Sequence, residues 1–159
     1  MRIRLAVAAG FSVAISLAGC MGVMTPAQKM QDAANDLTTA TRFSRMDAAL
    51  ERVSNSGRAD FIRKHAAWGA AIRVADCELS GLRFIDEETA EVMLTVSWQR
   101  IDESDLRGTQ IVQHWKSSHG KWLLESEERS AGDVGLLGES TTVVRATPTR
   151  TQFESIIIH

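Results

Sequence analysis

The twelve residues Ala90 to Ile101, AEVMLTVSWQRI, alternate with a period of two. Val92, Leu94, Val96 and Trp98 fall on one side, and Glu91, Met93, Thr95, Ser97 and Gln99 fall on the other. A helix would scatter those apolar positions around its whole cylinder, so the segment reads as a strand with one face to bury. Ile72 to Phe84 reads as a strand before it, with Gly81 placed for a bulge. Leu106 to Lys116 and Lys121 to Arg129 read as two strands after it. The connections are short: Asp86-Glu87-Glu88, the polar loop Asp102 to Asp105, and the hairpin turn Ser117-Ser118-His119-Gly120. Successive strands joined so tightly can pair only antiparallel, as a meander.

Such a sheet needs a cover for its apolar face, and the preceding residues supply it. Thr25-Pro26 reads as an N-cap followed by proline at the first helical position. Met30, Ala33, Ala34 and Leu37 then recur at helical spacing, and Phe43, Met46, Ala49, Leu50 and Val53 form a second stripe. The threonines of DLTTATR leave open whether these stripes belong to one bent helix or two. Ser54 to Gly57, SNSG, is a stop and turn. A further helix from Ala59 to about Trp68 would gather Phe61, Ile62, His65 and Trp68, with Gly69 ending it. The expected fold class is α+β: N-terminal helices on a curved antiparallel sheet of four or more strands, over residues 26–138. Residues 139–159 hold two short β-like pieces around Pro148 and read as a tail or an added edge strand.

The first residues obey a different logic. A basic leader, Met1-Arg2-Ile3-Arg4, precedes LAVAAGFSVAISL, an apolar stretch too short for the ~20 residues that a membrane span needs. It ends in Leu17-Ala18-Gly19-Cys20. That sequence resembles the lipobox of bacterial lipoproteins. The resemblance implies that residues 1–19 are a signal peptide, that Cys20 becomes the first residue and carries the lipid, and that residues 20–25 are a tether. The chemistry suits the residue types: a thiolate is the nucleophile that takes the diacylglyceryl group, and small Ala18 and Gly19 lie extended in a peptidase cleft. One acyl chain, at about 0.8 kcal/mol per buried CH₂, binds a bilayer marginally, whereas two or more hold firmly. Lipoprotein usage further implies the cell envelope. Met21, where an aspartate would favour the inner membrane of enteric bacteria, points to the periplasmic face of the outer membrane.

Charge leaves the anchor to do that work unaided. The chain has 18 Lys and Arg, and losing Arg2 and Arg4 with the signal peptide leaves 16 against 20 acids, or −4. A mildly acidic surface is not drawn to anionic lipid. With no basic stripe interleaved with aromatics, nucleic acid is not an expected partner. After lipidation only Cys77 remains, so no intramolecular disulfide can form, and its β-branched surroundings in IRVADCEL suggest a small buried hydrophobe.

The helices-then-meander order, together with IVQHWKSSHGKWLLESEE from Ile111 to Glu128, is similar to the nuclear transport factor 2-like superfamily, also called cystatin-like or SnoaL-like. FIRKHAAW, Phe61 to Trp68, ahead of such strands also resembles an uncharacterised family of Gram-negative lipoproteins. The superfamily resemblance implies a cone whose mouth can hold a small molecule, in enzymes and in noncatalytic subunits alike. Enzymes of that fold use Asp, His or Tyr for proton abstraction, and this chain has no tyrosine. Asp47, His65, Asp76 and His114 are available, but none matches a catalytic position, so no catalytic residue is assigned. The candidate pocket residues are His65, Asp76, Trp98 and His114. Neither His65, His114, His119 nor His159 sits at ligand spacing with another, and no metal or cofactor is expected. The acidic runs Asp86–Glu88 and Glu125–Glu128 read as solubilising.

Two functions follow. The preferred one is a non-enzymatic, lipid-anchored envelope protein that binds a partner envelope protein through its sheet face or C-terminal segment. The alternative is a small-ligand binder or enzyme using the cone, with His65, Asp76 or His114 moving a proton. The cone interior separates them: an open space of ~300 Å³ or more with two convergent polar groups favours the second, and a filling of Trp and Met favours the first.

Overall fold

The computed structural model describes residues 24–140. Helix α1 runs from Pro26 to Arg42 and opens on a capping box: the Thr25 hydroxyl accepts from the Gln28 backbone N–H, and the Gln28 side chain accepts from the Thr25 N–H at 2.8 Å. The threonines do not break it, because the Thr41 hydroxyl turns back to the Leu37 carbonyl at 3.0 Å. The break falls at Ser44, in the left-handed region at φ 56°. Helix α2, Met46–Leu50, follows as a separate short turn, so the two stripes belong to two helices. Phe43 lies in the break and is exposed rather than part of the second stripe.

Helix α3, Arg58–Lys64, is shorter than the sequence suggests. Phe61, His65 and Trp68 are buried together, but Ile62 points to solvent. Gly69, at φ 77°, ends the segment; a side chain there would strike Ser44 Oγ. The chain then enters β1, Ile72–Phe84, β2, Thr89–Arg100, β3, Arg107–Ser118, and β4, Lys121–Gly132. The four strands pair antiparallel in chain order, the expected meander. The β3–β4 turn has positive φ at both His119 and Gly120, the twist that a two-residue hairpin loop requires.

Bulges curve the sheet. The register slips between Val74 and Asp76 and between Leu79 and Gly81 on β1, so the extra residues are Ala75 and Ser80, the second one place before the expected Gly81. On β4 it slips at Glu125 and again at Ser130. The concave face carries Val92, Leu94, Val96 and Trp98 of β2, Ile111 and Trp115 of β3, and Trp122 and Leu124 of β4, all buried. Met30, Ala33, Ala34 and Leu37 of α1 and Phe61 of α3 join them in one core. Val92 and Val96 are wholly enclosed, whereas Met93 between them is 46% exposed, which is the alternation read from the sequence.

One part of the core was not foreseen. Beyond β4, Asp133 to Glu139 folds back so that Leu136 and Leu137 are buried, and the Leu136 carbonyl accepts from the Trp68 indole N–H at 2.8 Å. The Glu139 carboxylate clamps this loop, accepting from the N–H groups of Gly135 and Leu137 and from Arg129 Nε, each within 3.0 Å. Glu139 opens the segment read as a tail or added strand, of which residues 141–159 lie outside the described part. The signal peptide, the lipobox and Cys20 lie outside it too. Within it, no helix is long and apolar enough to cross a membrane.

Candidate functional site

A buried polar network joins His65, at the end of α3, to Gln113 of β3 and Glu127 of β4. His65 and Glu127 have side chains only 3% and 2% exposed, and their Nδ1 and Oε1 atoms are 3.2 Å apart. The His65 Nδ1 also lies 3.0 Å from the Phe61 carbonyl. Both neighbours are acceptors, so Nδ1 carries the proton and donates to Phe61. It is too poorly aligned with Glu127 Oε1 to satisfy it, and that oxygen has no hydrogen-bond donor among the described residues. Glu127 Oε2 accepts from Gln113 Nε2 at 3.2 Å, and Gln113 Oε1 accepts from the Trp115 indole N–H at 3.2 Å. Lys64 Nζ donates to the Glu127 backbone carbonyl. The imidazole is stacked on Phe61, ring centres 4.1 Å apart, and tilted against Trp68 at 4.4 Å.

The β4 bulge puts Glu127 here. Trp122 and Leu124 face inward; the extra residue at Glu125 resets the alternation, so Glu127 turns inward rather than outward. The run Glu125–Glu128 is therefore not uniformly a solubilising edge. Glu128 is exposed, whereas Glu127 is buried as a partner of His65. Sequence reasoning missed this carboxylate because a bulge leaves little mark on a run of polar residues. Gln113, on the apolar face of β3, was the available sign of a buried polar network.

The four residues expected to line one pocket do not meet. His65 is in the network above. Trp98 is 1% exposed in the core, its indole N–H donating to Thr109 Oγ1 at 2.8 Å. Asp76 pairs across the sheet with Ser97, on the opposite face from Trp98, and binds Arg42 at 3.1 Å. His114 is paired with Glu91 on that same outer face, with acidic oxygens of Glu91 and Glu128 at 3.6 and 3.9 Å. Asp47 is exposed on α2. Cys77 is packed on the concave side, where burial pushes its thiol up to about 12 and the nearby Asp76 carboxylate adds to the rise. It is a small apolar side chain and not a nucleophile at neutral pH.

An acid–base pair needs a reacting group within reach. The crevice beside Glu127, bounded by Phe61, Leu124 and Gly57, has no room for a water molecule. The core space is taken by Trp98, Trp115, Met30, Leu37 and Leu136, each less than 2% exposed. A separate notch of about 220 Å³ opens at the end of α1, lined by Arg42, Phe43, Ser44, Trp68, Arg73 and Ile101 among others. It lies outside the His65 network.

No protein-family model matches this chain, and no curated protein is similar to it. Solved structures do match. An NTF2-like protein from Cytophaga hutchinsonii superposes with a TM-score of 0.54 at 15% identity, over 68% of this chain and 99% of that one. This chain has the nuclear transport factor 2-like fold. A putative Ca/calmodulin-dependent kinase II association domain from Exiguobacterium sibiricum superposes with a TM-score of 0.55 at 9% identity, over 69% and 95% of the two chains. At such identities the likeness is one of backbone, and fold alone assigns no activity.

Proposed function

We propose that this protein is a lipid-anchored module of the bacterial cell envelope, acylated on Cys20, that acts by binding another envelope protein rather than by catalysis. The observation that carries the non-enzymatic part is the filled interior. Tryptophan, methionine and leucine side chains occupy the space where the fold can hold a ligand, and Leu136 and Leu137 close it from the C-terminal side. The His65–Glu127 pair has no space for a reactant beside it. The anchor rests on Leu17-Ala18-Gly19-Cys20 after a short apolar run, and Met21 favours the periplasmic face of the outer membrane. With an acidic mature chain, acyl chains supply the membrane affinity.

Intact-mass spectrometry of protein extracted from native membranes tests the anchor. The expected product begins at Cys20 and carries the added mass of a diacylglyceryl group and an amide-linked acyl chain. A first residue elsewhere, or an unmodified Cys20, overturns it. Crosslinking in native membranes then tests the binding role: specific protein partners are expected for the wild type and their loss for Cys20→Ala. A wild-type protein that crosslinks to nothing counts against that role. The small-ligand alternative is left with depressions outside the core: the notch of about 220 Å³ beside Arg42 and Arg73, and open grooves of about 720 Å³ along Phe84 and Asp86 and about 550 Å³ along Lys116 and His119.

A further inference from the structure

The two ends of the sheet differ in how near they lie to Cys20. At one end are the β1–β2 turn, the β3–β4 turn and the start of α1; Thr25, Pro26 and Ala27 line a shallow groove with Phe84, Asp86 and Glu87. At the other end are the C-terminus of α1, the β2–β3 loop and the exit of β4. Helix α1 spans the distance between them, about 25 Å for its 17 residues. Cys20 stands four residues before Met24. Fully extended, that is at most about 14 Å of chain. Whatever holds Cys20 therefore holds the first end close.

Both ends expose large apolar side chains, Phe43, Ile101 and Leu106 among them at the far end, so it is the short tether that selects the first. Met24 is 47% exposed, Phe84 38% and Ile85 51%, and Phe84 is braced edge-on against Trp122 with ring centres 5.8 Å apart. Large side chains held at a hairpin tip, with an aromatic brace behind them, suit the boundary between headgroups and acyl chains. The flanking charge sets the kind of surface. Asp86, Glu87 and Glu88 form the turn beside Ile85, and the Asp86 carboxylate is pinned by the Glu88 backbone N–H at 2.8 Å. Three acids at the tip repel an anionic surface and tolerate a zwitterionic one.

We infer that the β1–β2 tip, with Phe84, Ile85 and Met24, rests in the interface of a zwitterionic bilayer, so that α1 stands away from the membrane and the Arg42–Ile101 end faces the aqueous compartment. This orientation rests on the Cys20 anchor. A free tether would let the domain tumble; the apolar tip fixes which end the partner can approach.

The test uses the mature, acylated protein in phosphatidylcholine vesicles, with a nitroxide placed at Ile85→Cys or Leu106→Cys. Cys20 is blocked as a thioether and Cys77 is packed against the core, so the introduced thiol is the reactive one. Leu106 is 65% exposed in the β2–β3 loop at the far end. The expected result is a label at position 85 that is open to oxygen and shielded several-fold from a water-soluble nickel chelate, with the reverse at position 106. Equal nickel access at both positions, in protein whose intact mass shows the acyl groups, overturns the orientation and leaves the anchor standing. Protein whose mass shows Cys20 bare overturns both.

Discussion

Glu127 shows how much one side chain can depend on a single extra residue elsewhere in its strand. Without the bulge at Glu125 it would be one more solvated acid; with it, the carboxylate is buried 3.2 Å from His65. Removing the carboxylate leaves the buried Gln113 amide without its acceptor, at a cost of about 1–3 kcal/mol, and opens a cavity beside His65. Glu127→Ala is therefore expected to lower unfolding stability by about 3 kcal/mol, read from the urea midpoint. A change below about 1 kcal/mol would mean that His65 and Gln113 find water in the variant. Cys77 gives a second residue-scale expectation. With its thiol pushed up to about 12 by burial, it should resist iodoacetamide in the native protein at pH 8 and react on unfolding. Rapid native labelling, seen by mass, would show that the strand opens.

Among the elements, the loop Asp133 to Glu139 is the one whose contribution is least visible from its composition. Two glycines and an aspartate suggest a linker, yet Leu136 is fully buried and Leu137 nearly so. Leu136→Ala is expected to cost about 2–5 kcal/mol, the range for emptying a packed leucine site. The clamp that holds the loop is sensitive to acid. Partial burial pushes the Glu139 carboxyl up, but the backbone N–H groups of its own residue, Leu137 and Gly135, together with Arg129, outweigh it and hold it below the usual range. A carboxyl so depressed contributes stability above its unfolded value, near 4.5, and that contribution is lost as pH falls through the lower folded value. The melting temperature of Glu139→Gln should therefore fall less steeply below pH 4.5 than that of the wild type. Parallel acid limbs would remove Glu139 from the account.

For the whole molecule, helices and sheet share one core, with Met30 and Leu37 packed on the same cluster as Trp98, Trp115 and Leu136. A single core predicts a single cooperative transition. Tryptophan fluorescence and far-ultraviolet circular dichroism of the mature chain should lose signal at the same urea concentration. Midpoints that separate would show helices and sheet to be independent units. The function proposed also belongs to this scale, because anchor, filled interior and apolar tip have meaning only as parts of one oriented body.

The sequence by itself determined the elements and their order. Period-two alternation with short turns admits only a meander, a helical stripe must cover its apolar face, and Thr25-Pro26 marks where that helix starts. These are local rules of spacing and backbone geometry, and they are written in neighbouring residues. The tertiary structure decided what those rules do not reach. One bulge on β4, at Glu125, sets which acid is buried, the loop after β4 became part of the core, and the four candidate site residues were divided between opposite faces of the sheet. Each depends on contacts between residues far apart in the chain, where one extra residue in a strand reverses every side chain beyond it.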